Sequence, residues 1–307
     1  MGAPPNEPDV VFIGGTGRCG TSILRTVLGE QPGCTALPFE HRFLIDPDGL
    51  VDFMACAGNI WSPYHYDRRL KRLHAFLMTL AGDESDGPPY RGWELDRHFP
   101  GFRHHAEQLI DRLTAFRYPA RWVGGMADEG TLWFAPCPDA DSLLTACRAF
   151  AWATITGLLE KTGARVYVED NTFNLLHAPW LHALFPSARF VHVVRHPFDV
   201  VRSFQAQRWC PDDLDQAIAF YRAVMDRILR QTESLPKACF VTQTHEAFTG
   251  APAATIHRLA RQLGLPDTTG DHTTAVHHRP AADIPPDDRA RMATALAPYL
   301  DRFGYDA

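Results

Sequence analysis

The sequence predicts an α/β fold: a three-layer domain with a central parallel sheet and a helical insertion. Three observations predict it: a strand, glycine-rich turn and helix over residues 10 to 28; a second strand, turn and helix over 188 to 204; and, between them, apolar residues at helical spacing. With 307 residues, 45% hydrophobic and 21% charged, the chain has enough apolar material for a full core. The reading is a single domain over 10–307, with 46–164 a mainly helical insertion. Residues 1–9, which hold Pro4, Pro5 and Pro8, read as a flexible tail.

The first segment is VVFIGGTGRCGTSILRTVL. Val10 to Ile13 form a short apolar strand, and Ile23, Leu24, Val27 and Leu28 mark one face of the following helix. Gly14, Gly15, Gly17 and Gly20 punctuate the bend, where a side chain would block close approach of a ligand. Backbone amides of such a turn and the positive end of the helix dipole converge on one point, which suits a phosphate-like anion.

Two fingerprints overlap there. From Gly15 the spacing is that of a P-loop, G-x-x-x-x-G-K-[ST], but Thr21 stands in the lysine's place, which argues against a nucleotide triphosphatase. Arg18 is the cation of the turn, and a guanidinium forks onto two oxygens of a phosphate or sulfate. The same glycines also spell G-x-G-x-x-G, with Glu40 at the distance of a ribose-binding acid. That dinucleotide reading needs residues 34 to 40 as a buried strand, and Pro38 with few β-branched neighbours makes them a poor one. Cys19 lies inside this turn at a helix N-terminus, a place that can depress a thiol's pKa.

In the insertion, Leu70, Leu73, Phe76, Leu77 and Leu80 predict a helix over 67–81, and two more helices are expected over 104–117 and 141–160. Aromatics crowd this region. Trp133 and Phe134, in the Gly/Pro-flanked run GMADEGTLWFAPCPD, are expected on a loop facing a ligand, because loops carry function. The insertion would then form an acceptor-side cap.

The second anchor, ARFVHVVRHPFDVVRSF, gives a strand from Phe190 to Val194 that ends in Arg195, then a helix started by Pro197 and carrying Ser203. Arg195 falls at the carboxyl end of a parallel strand, where open α/β sheets place ligands. Further strands are expected over 165–169 and 238–242.

Together the two anchors resemble the PAPS-dependent sulfotransferases, closest to the bacterial and tyrosylprotein branch. In that family the first loop, R-S-G-T-T, holds the 5′-phosphosulfate of 3′-phosphoadenosine 5′-phosphosulfate (PAPS), and an Arg and Ser after the later strand hold its 3′-phosphate. The resemblance therefore implies a donor site of Gly17, Arg18, Cys19, Gly20, Thr21 and Ser22 with Arg195 and Ser203, and PAP as the product. Glu40-His41-Arg42 stands where that branch has E-T-R, which makes Glu40 the catalytic base and His41 a neighbour of the acceptor. VYVEDNTF resembles the stretch reading E-K-T-P, with Asp170 and Asn171 where its lysine is expected. HEAF replaces Y-E-D-L, and Arg279 is a substitute for the arginine of the late 3′-phosphate loop.

The implied chemistry is transfer of a sulfuryl group to a hydroxyl or phenol of a small molecule, with Glu40 as base, Arg18 meeting charge on the leaving phosphate, and no metal. His41, His65, His104 and His105 are the alternatives for the base. Two other readings are a P-loop small-molecule kinase and a catalytically silent nucleotide-binding protein. A net charge of −6 and a pI near 6.2 argue against nucleic acid or anionic membrane as partner. Seven unpatterned cysteines and the lack of a signal-like N-terminus lead to an expected cytoplasmic location.

Overall fold

The structure is a computed structural model that describes residues 6–82, 93–120, 130–266, 276 and 284–307. In chain order the elements are β1 (Asp9–Gly14), α1 (Thr21–Gly29), β2 (Cys34–Ala36), α2 (Leu50–Ala57), α3 (Pro63–Ala81), α4 (Leu95–His98), α5 (Phe102–Arg112), β3 (Phe116–Ala120) and β4 (Gly130–Phe134). There follow α6 (Ala140–Thr162), β5 (Val166–Glu169), α7 (Ala178–Leu184), β6 (Arg189–Val194), α8 (Pro197–Gln205), α9 (Leu214–Thr232), β7 (Phe240–Thr244), α10 (His245–Gly250), α11 (Pro252–Leu263) and α12 (Pro286–Phe303). The chain forms two compact units, one of residues 9–40, 164–182 and 187–307, the other of 1–8, 41–163 and 183–186.

The first unit holds a parallel sheet in the order β2-β5-β1-β6-β7. In β1, Val11 pairs with Val168 on one side and Arg189 on the other. Val10 to Ile13, Val166 to Val168 and Phe190 to Val194 are buried, the continuous apolar run expected of central parallel strands covered on both faces. One cluster joins Val11, Leu24, Val27, Phe198, Phe204 and Tyr221, welding α1, α8 and α9 to the sheet. The chain leaves β1 for β2 on one side and returns from β5 to β6 across it. All five strands are parallel and end at one edge, where open α/β sheets place ligands.

Most expected strands form within two residues of their predicted bounds. β7 begins later, at Phe240, because a 3-10 turn occupies Lys237–Cys239. Residues 34 to 40 give only the three-residue edge strand β2, which ends before Pro38.

In the second unit α3 is capped by Ser62, whose side chain accepts from the His65 amide, and it starts at Pro63, four residues ahead of the predicted start. The expected helix over 104–117 is corrected: α5 ends at Arg112, and Phe116–Ala120 is instead a strand paired antiparallel with β4. Tertiary pairing with the alternating residues of β4 overrides the local helical spacing there. The core is aromatic, with the rings of Phe43, Phe102 and Phe150 each 5.6 Å from the other two. α6 is long and apolar enough to cross a membrane, but Leu143, Cys147, Phe150, Ile155 and Leu158 along it are buried against this core.

Candidate functional site

The carboxyl edge of the sheet collects the sequence-predicted residues of the first unit. After β1 the chain turns through Gly17 at φ 86°, Arg18 at φ 56° and Gly20 at φ 96°. Gly20 caps α1 without a side-chain bond, so the first-turn amides of the helix point out of the loop. A Cβ at Gly20 would stand 2.5 Å from His245 Nδ1, and one at Gly17 would stand 2.8 Å from Trp209 Cη2. Both positions combine a left-handed backbone with a wall too near for any side chain, which is the physical reason for glycine. Arg18 is left-handed without that excuse; strain of about 1–3 kcal/mol at a non-glycine residue is characteristic of functional loops.

Arg18 is exposed, and its Nε donates to Ser203 Oγ at 3.0 Å. Arg195 Nη1 donates to the Arg18 carbonyl at 3.4 Å, and its Nη2 pairs with Asp199 at 2.9 Å. The loop after β1, the end of β6 and the last turn of α8 thus meet around two guanidinium groups and a hydroxyl, although Arg18 and Ser203 lie 185 residues apart in sequence. Glu246, on α10, fixes the strand end that carries Arg195: its Oε1 accepts from the His196 amide at 2.9 Å and its Oε2 from the Tyr305 hydroxyl at 2.6 Å.

Thr21 is buried and Ser22 exposed at the start of α1. Cys19 is fully buried, and burial pushes its thiol up to about 11. The depressed, reactive thiol is therefore corrected. Loss of hydration outweighs the four backbone hydrogen bonds that lower the value, and the side chain serves as a small apolar filler under the loop.

Glu40 follows β2 and is half-buried. Its Oε1 accepts from the Thr172 amide at 3.3 Å and from Thr172 Oγ1 at 3.2 Å. Thr172 also returns to the anion loop, since its carbonyl accepts from the Gly15 amide at 3.1 Å. One residue thus links the candidate base to the candidate anion site. Sequence reading missed Thr172; its signal was its place just after β5, at the same sheet edge.

The positions where the resembled family has E-K-T-P are occupied differently. Asp170 is buried in an ion pair with Arg25 Nε at 3.3 Å, and Arg25 also donates to the Leu37 carbonyl. Glu169 is 1% exposed, accepts from the Asn171 amide at 2.9 Å and from Asn174 Nδ2, and is raised to about 8 by burial and by the neighbouring Asp170 charge. Burial therefore favours its protonated form. The folded chain keeps a proton that the unfolded chain releases above its ordinary value of 4.5, so this stability is present below pH 4.5 and lost as pH rises through about 8. Glu169→Gln is expected to gain stability relative to the parent between pH 5 and pH 8, read from urea midpoints. A constant difference across that range would refute the raised value.

The second unit places the remaining predicted residues. His41 is fully buried, stacked on Phe43 at 4.2 Å with Phe99 at 6.2 Å, and burial lowers it to about 3. A ring so held and so weakly basic is neutral at pH 7 and packs in the aromatic core. Trp133 and Phe134 lie on strand β4, not on a loop. Arg117 stacks on Trp133 at 4.5 Å, the Trp133 amide donates to Asp67 at 2.8 Å, and Phe134 stacks on Phe116 at 4.8 Å. Of the alternative bases, His65 bonds Ser62 at 2.9 Å and His104 faces Gln108 at 2.9 Å. Both make local helix contacts, and His105 is lowered by burial. Arg279 lies outside the described residues.

Comparison with known proteins bears on this edge of the sheet. A model of the sulfotransferase family matches residues 8–269. Among solved structures, the sulfotransferase domain of the olefin synthase from Synechococcus PCC 7002 is 16% identical, with 100% of this chain and 99% of that one covered and a TM-score of 0.52, which supports the same fold. A sulfotransferase domain from the curacin biosynthetic pathway gives 16% identity, 94% and 98% coverage and a TM-score of 0.49. A sulfotransferase from Mycobacterium avium gives 16%, 99% and 78%, and 0.47. No curated protein sequence matches the chain.

Proposed function

This chain belongs to the sulfotransferase family, and we propose that it moves a sulfuryl group from PAPS to a hydroxyl of a small-molecule acceptor, leaving PAP. The observation that carries the donor reading is the meeting of Arg18, Arg195 and Ser203 at the mouth of the glycine loop. In this reading the loop amides, Arg18, Thr21 and Ser22 receive the 5′-phosphosulfate, and Arg195 with Ser203 receives the 3′-phosphate. Because no lysine stands at Asp170, and Arg25 is buried in its pair with that residue, Arg18 is the cation that meets charge on the bridging oxygen as the S–O bond breaks.

Glu40 takes the proton of the acceptor hydroxyl as its oxygen attacks sulfur. Thr172 holds one carboxylate oxygen from two donors, which orients the other. The location inferred is the cytoplasm.

The test is ligand stabilisation. PAP at about a thousand times its dissociation constant should raise the unfolding free energy by about 4 kcal/mol, while ATP and NAD at the same concentration leave the melting temperature unchanged. Stabilisation by ATP with magnesium but not by PAP would favour the kinase reading instead.

A further inference from the structure

From the surroundings of Trp209 we propose that its indole is the platform on which the acceptor's carbon skeleton lies, and that it selects planar, aromatic alcohols. The proposal rests on the donor and base assignments above. An acceptor hydroxyl that gives its proton to Glu40 on one side and faces sulfur on the other has to sit where the Thr172 loop meets the Gly17 loop. Two side chains reach that junction. A Cβ on Gly17 would stand 3.2 Å from the Thr172 methyl and 2.8 Å from Trp209 Cη2, so the six-membered end of the indole covers the Gly17 Cα.

Trp209 is nevertheless 50% exposed, although three aromatic rings stand against it. Phe173, Phe204 and Phe220 stand 6.4, 6.1 and 6.4 Å from it, all at steep angles. Edge contacts fix the orientation of the indole and leave its open surface for a ligand. Gly17 has no side chain because Trp209 occupies that space, so loop and platform are built as one unit. An aromatic acceptor gains stacking there that a saturated one of the same shape does not, and the braced ring loses little rotamer freedom on binding.

The test is calorimetric binding of 2-naphthol and of its saturated analogue, decahydro-2-naphthol, with and without PAP, to the parent chain and to Trp209→Ala and Trp209→Phe. The parent is expected to prefer 2-naphthol. Trp209→Ala should lose that preference with a fall of about tenfold in 2-naphthol affinity, Trp209→Phe should keep most of it, and PAP affinity should be unchanged in both. Equal 2-naphthol affinity in parent and Trp209→Ala, no 2-naphthol binding by the parent, or a parallel loss of PAP affinity would each overturn the proposal. Failure of PAP to bind the parent would instead strike the donor reading, while the two naphthols still decide the role of Trp209.

Discussion

Glu40→Gln is expected to lower kcat by about 10²- to 10⁴-fold, the range for loss of a positioned general base, with PAP affinity unchanged. Glutamine keeps the shape and both contacts from Thr172, which need only an acceptor oxygen, so the loop should stay in place. What disappears is the lone pair that takes the hydroxyl proton. Single-turnover transfer from PAPS, measured beside PAP binding by calorimetry, separates the two. Activity within tenfold of the parent would remove Glu40 from the base role and return attention to the histidines.

Arg18→Ala is expected to cost about 10²- to 10³-fold in kcat/KM, the usual loss when a preorganised donor to developing charge is removed, together with a weaker PAP complex. Arg18 is the exposed cation of the anion loop, and its Nε bond to Ser203 shows that the guanidinium reaches across to α8. Arg18→Lys restores the charge but not the fork, so it should recover only part of the loss. Ser203→Ala, which removes one neutral donor, should cost about tenfold or less. Donor affinity and transfer rate both within threefold of the parent in Arg18→Ala would place the leaving phosphate elsewhere.

The residues that were legible in the sequence share a physical reason. β1, β5 and β6 announce themselves because a central parallel strand is buried on both faces and reads as an unbroken apolar run. The anion loop shows because Gly17 and Gly20 take backbone angles that few other residues accept. Less visible were features fixed by partners distant in sequence. The strand Phe116–Ala120 looks helical until β4 pairs with it. The packing of His41 against Phe43 and Phe99 has no local signature either. The acidic run at Glu169 and Asp170 gave no hint that one carboxyl is paired with Arg25 and the other kept protonated by burial.

The sequence by itself determined the strand-loop-helix that suits an anion, the apolar runs of the parallel strands, and a resemblance to the family. Only the tertiary structure decided that Arg18, Arg195 and Ser203 stand together, that Thr172 ties Glu40 to the Gly15 amide, and that Trp209 closes over Gly17. Local spacing fixes periodicity and backbone angles within one element. Which side chains share a crevice depends on the sheet order β2-β5-β1-β6-β7, which brings strand ends from across the whole chain to a single edge.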